Sequence, residues 1–104
     1  MKILAKSRTL AADEAAFTHE LLRAEAERVW ALQQAGDVRE IYFTAAGEAM
    51  LILEAASAAA ARRLLATLPL VRAKLIEFEI DELRAYSGFA RLFAPTRRRR
   101  AGAT

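Results

Sequence analysis

The sequence predicts an α+β fold, a four-stranded antiparallel sheet with two helices on one face. Three observations predict it. Two stretches repeat apolar residues at helical spacing, four short runs read as strands, and the order along the chain is β-α-β-β-α-β. The chain has 104 residues, enough for one compact domain and not for two. Hydrophobic residues make up 55%, many of them alanine, so a small domain must cover more apolar surface than its own core can.

Residues 2–7, an apolar run with lysines, open the chain as a first strand, and residues 9–12 connect it onward. Asp13 is placed to cap a helix over residues 14–35, which Gly36 ends. VREIYFT, residues 38–44, is β-branched and aromatic, a second strand. Residues 45–48 make a hairpin turn into a third, AMLILE. Ser57 suits the N-cap of a second helix over residues 58–67. Pro69 blocks its continuation, since it lacks an N–H and disfavours helix at Leu68. Residues 74–83 form the fourth strand, which this reading sends into the sheet interior, with Ile76, Phe78 and Ile80 toward the helices and Leu75, Glu77 and Glu79 away from them. The order is that of the split βαβ unit of ferredoxin-like folds. Neither sheet face reads as simply solvated, so a homodimer or higher homo-oligomer, closed by two sheets face to face, is expected.

Charge and absent motifs narrow the function. The net charge is +3, but Arg97, Arg98, Arg99 and Arg100 supply four positive charges and leave −1 for the rest. A domain-wide nucleic-acid footprint is missing. Residues 94–104 read as a disordered basic tail. No apolar run is long enough to span a membrane, and the start of the chain is charged too soon for a signal peptide. The chain has no cysteine, which excludes disulfides and fits a cytoplasmic protein. With one histidine, His19, a transition-metal site is not expected. Phosphate loops, HExxH, GxSxG and nucleotide fingerprints are all absent.

MKILAKS, ALQQAG, the pair VREIYF and AMLILE, and LPLV followed by I-x-F-x-I together resemble muconolactone isomerase and its relatives in the dimeric α/β-barrel superfamily, over roughly residues 1–83. The resemblance implies a small-molecule enzyme of aromatic catabolism. It moves a proton on an unsaturated, carboxylated metabolite without a metal or cofactor. It also implies that Lys6, Glu25 and Arg39 match residue types of that family. Glu40 and Tyr42 stand where histidine and tryptophan would be expected.

Glu25 is also singled out by periodicity. Phe17, Leu21, Val29 and Leu32 form one apolar stripe, and Glu25 interrupts it. An acid turned toward the sheet would have a raised pKa and could act as a base; the other reading is a buried ion pair with Lys6 or Arg39. The catalytic candidates are Glu25 and Lys6, and the substrate-binding candidates are Arg39 and Tyr42. Arg39 is placed by parity on the face of Ile41 and Phe43. Trp30, on the outer side of the first helix, is expected to meet the C-terminal segment or a second subunit, and the apolar segment AYSGFARLF to pack on a second subunit, cover the mouth of a pocket or form a core-capping turn. Two other functions stay open, a cofactor-free monooxygenase of the same superfamily acting on an electron-rich ring, for which Trp30 and Tyr42 are the residues to watch, and a non-catalytic small-ligand binding or assembly module.

Overall fold

A computed structural model of the chain describes residues 1–11 and 13–93. The tail expected over residues 94–104, with its four arginines, lies outside the described residues. The strands are β1 (Lys2–Thr9), β2 (Val38–Phe43), β3 (Ala49–Glu54) and β4 (Ile76–Leu83). The helices are α1 (His19–Gln34), α2 (Ala58–Leu65), α3 (Pro69–Arg72) and α4 (Ala90–Phe93). All neighbouring strands run antiparallel, in the order β2-β3-β1-β4. This is the predicted ferredoxin-like arrangement; in it β4 occupies an edge and pairs with β1 alone, not the sheet interior that the sequence suggested.

The first helix starts later than its periodicity suggests. Asp13 does accept a hydrogen bond, from Ala15 N–H at 2.9 Å, but it caps a separate 3₁₀ turn over Glu14–Ala16. Phe17 leaves helical geometry, and Thr18 caps α1 by accepting from Leu21 N–H at 3.1 Å. At the other end Gly36 takes φ +87°, its N–H bonds Gln33 C=O, and Asp37 N–H bonds Leu32 C=O. That double bond is the Schellman stop.

Ser57 caps α2 as expected, accepting from Ala60 N–H at 3.0 Å. Pro69 has a second role besides blocking the helix. Leu68 is extended and Pro69 becomes the first residue of α3, where its missing N–H costs nothing. That extra turn ends in another Schellman stop at Lys74, with φ +61°. The fourth strand therefore begins at Ile76, two residues later than predicted.

Strand alternation divides the sheet. Ile3, Ala5, Leu51 and Leu53 are buried beneath the helices with Leu32, Ala61, Leu65 and Leu68. Ile76, Phe78 and Ile80 point the same way, as predicted, opposite Thr9, Ser7 and Ala5. The other face carries Lys2, Leu4, Lys6 and Arg8 of β1 beside Glu77, Glu79 and Asp81 of β4, with Met50 and Ile52 of β3 between charges. It is less apolar than the sequence reading held, because β1 and β4 place charged residues at alternate positions on it.

Candidate functional site

The polypeptide leaves a cavity of about 420 Å³ between α1, α3 and the helix-bearing face of the sheet. That volume suits a small ligand. Its wall is largely apolar, with Phe17, Val29, Leu51 and Phe78 among its residues. Ile41 and Phe43 also line it, and Phe43 is 78% exposed, so the cavity opens to solvent past β2.

Glu25 sits in this wall. Its place in the apolar stripe turns the side chain inward, as the periodicity predicts. Oε1 accepts the N–H of Leu70 at 2.9 Å, one of the orphan donors at the start of α3. Leu68, the N-cap residue, supplies no side-chain acceptor there, so Glu25 caps that helix from across the cavity. Burial pushes the Glu25 carboxyl above its usual value, and the Leu70 hydrogen bond offsets part of that rise. Among the described residues Oε2 has no partner.

Two further polar side chains line the cavity, and sequence reasoning passed over both. Ser7, 8% exposed, accepts the N–H of Ala49 at 2.8 Å through Oγ. Thr9 lies two residues farther along the same face. Their parity with Ile3 and Ala5 was the available signal.

The structure does not bring the four sequence-predicted site residues together. Lys6 lies on the opposite sheet face from Glu25, where its ammonium is 3.5 Å from Glu48. Tyr42 is on that face too, donating to Glu40 at 2.8 Å. That bond, with the negative charge of Glu40, raises the Tyr42 pKa. Arg39 departs from the expected parity. The register shifts between Val38 and Glu40, so Val38 is buried opposite Leu53 and Arg39 occupies a bulge. Its Nε donates to Gly36 C=O at 2.7 Å. The Glu54 carboxyl is held below its usual value chiefly by the hydrogen bond from the Met1 ammonium, with the Arg39 charge a smaller contribution. The ion pair considered for Glu25 with either cation is not formed.

Trp30 stays 64% exposed, and the described residues of the C-terminal segment do not cover it. Tyr86, Phe89, Leu92 and Phe93 are likewise exposed, with Tyr86 and Phe89 in edge-to-face contact with each other. No cluster of three or more possible metal-ligating side chains occurs among the described residues. Nor does any helix among them have the length and apolarity to cross a membrane.

The chain matches no protein-family model and no curated protein. Solved structures do match. One is muconolactone isomerase, at 23% identity and a TM-score of 0.67, covering 84% of this chain and 92% of that one. Another is 5-chloro-2-hydroxyhydroquinone dehydrochlorinase from Burkholderia phenoliruptrix AC1100, in complex with 2,5-dihydroxybenzoquinone. It aligns at 13% identity and a TM-score of 0.68, covering 85% of this chain and 98% of that one. The likeness establishes architecture: the chain has the ferredoxin-like α+β fold of these two proteins.

Proposed function

We propose that the chain is a small-molecule enzyme that transfers a proton on a ligand held between α1 and the sheet, with Glu25 as the acid–base group. The observation that carries this reading is a half-buried carboxyl of raised pKa in the wall of a largely apolar cavity. Burial makes this carboxyl hold its proton more tightly than an exposed glutamate does, the direction that acid–base work calls for. The enzymes that share the fold act on small ring compounds, which supports the same reading.

Turnover of muconolactone and of 5-chloro-2-hydroxyhydroquinone, followed by ultraviolet absorbance beside Glu25→Gln, tests it. The expected result is turnover of one substrate and a loss of about 10²–10⁴-fold in the variant. Equal rates in both proteins would remove Glu25 from the chemistry. No turnover of either substrate would favour the second reading, in which Glu25 is only the cap of α3 and the cavity a binding site. The hydrogen bond from Leu70 N–H is the observation behind that alternative.

We also propose that a second copy covers the open sheet face. Basic Lys2, Lys6 and Arg8 lie beside acidic Glu77, Glu79 and Asp81 on it. A copy related by a twofold axis could set each row against its opposite.

A further inference from the structure

Among the described residues the cavity wall carries the polar side chains Ser7, Thr9 and Glu25, and no lysine, arginine or histidine. We infer that the site takes an uncharged ring bearing a hydroxyl or carbonyl oxygen and rejects a carboxylate of the same shape. The inference rests on reading this cavity as the ligand site, and deepens it by naming the substrate class.

Four features argue for it. Ser7 Oγ already accepts from Ala49 N–H, while its own hydrogen is committed to no hydrogen bond among the described residues. It is free to donate to a carbonyl or hydroxyl oxygen. Glu25 has Oε1 engaged by Leu70 and Oε2 available, so a ligand hydroxyl could donate to it. Phe17, Phe43 and Phe78 supply flat apolar walls for a ring, and Ile41 adds aliphatic surface. A ligand carboxylate, by contrast, would lose water without gaining a counter-charge and would lie beside another acid. The nearby cations are committed elsewhere. Lys6 is across the sheet against Glu48, and Arg39 is bonded to Gly36 C=O at the bulge. The carboxylated substrate implied by the family resemblance is thus the class this wall suits least.

A matched pair of ligands tests this. 3-Hydroxyacetophenone and 3-hydroxybenzoate differ by a methyl group against a charged oxygen. Titration calorimetry on the full chain at about pH 7.5 should find the ketone bound at least about tenfold more tightly, a difference that Glu25→Gln reduces by removing the like charge. Tighter or equal binding of the benzoate would overturn the inference. So would the failure of both to bind at millimolar concentration, or affinities that Glu25→Gln leaves unchanged. A benzoate preference alongside turnover lost in Glu25→Gln would sink this inference alone. A ketone preference without turnover of any substrate would instead sink the catalytic reading.

Discussion

Glu25 was legible because helical periodicity is a strong signal, and a charged residue inside an apolar stripe stands out against it. Its partner was not legible. The residue that meets it is Leu70, through a backbone N–H that no side-chain pattern announces. Arg39 shows the opposite failure, since one bulge residue reverses the parity on which its placement depended. Lys6 lies on the face opposite Glu25, as the burial of Ile3, Ala5 and Ser7 at alternate positions of β1 requires. The raised Glu25 pKa has a consequence for stability. The folded chain holds that proton more tightly than the unfolded chain does. The contribution is therefore fully present below the usual glutamate pKa and is lost as pH rises through the folded one. Glu25→Gln, which keeps an acceptor for Leu70, should gain stability relative to the parent as pH rises above the usual glutamate value. Urea unfolding at several pH values measures the difference; parallel curves would mean that Glu25 titrates normally.

At the scale of elements, the caps decide where each helix starts and stops; Gly36 and Ser57 were readable, whereas Thr18 and not Asp13 caps α1. The end of α3 was not readable either. Its stop places Lys74 at φ +61°, a conformation glycine adopts without penalty and lysine does not. Nothing in LVRAKL marks that residue, which is why the fourth strand was predicted to start too early. Lys74→Gly should therefore stabilise the chain by up to about 1 kcal/mol in chemical unfolding, once the greater freedom of an unfolded glycine is subtracted. A loss of stability would show that the lysine side chain contributes a contact that offsets the backbone cost.

For the molecule as a whole, the order of elements carried the fold, because β-α-β-β-α-β with short connections allows few packings. The cavity could not be read that way, since it depends on how far α1 stands from the sheet. Two leucines separate folding from assembly. Leu53 is wholly buried under the helices, whereas Leu4 is on the open face. Leu53→Ala should cost about 2–5 kcal/mol in unfolding at any protein concentration. Leu4→Glu should leave the monomer folded by circular dichroism and weaken a dimer measured by light scattering. An unchanged oligomer in Leu4→Glu would place the contact elsewhere, with the exposed Tyr86, Phe89 and Phe93 as the next surface to test.

The pleat of β1 has one more consequence, for laboratory evolution. Ser7 and Thr9 border the cavity, while Lys6 and Arg8, one step along the chain, belong to the charged face. Neighbouring codons thus answer to different selections. A library confined to positions 7, 9, 41 and 43 would vary what the cavity accepts and leave the charged face as it stands. The same number of changes at positions 2, 4, 6 and 8 would alter the open face alone. The two searches can be run in parallel and their winners combined in one gene.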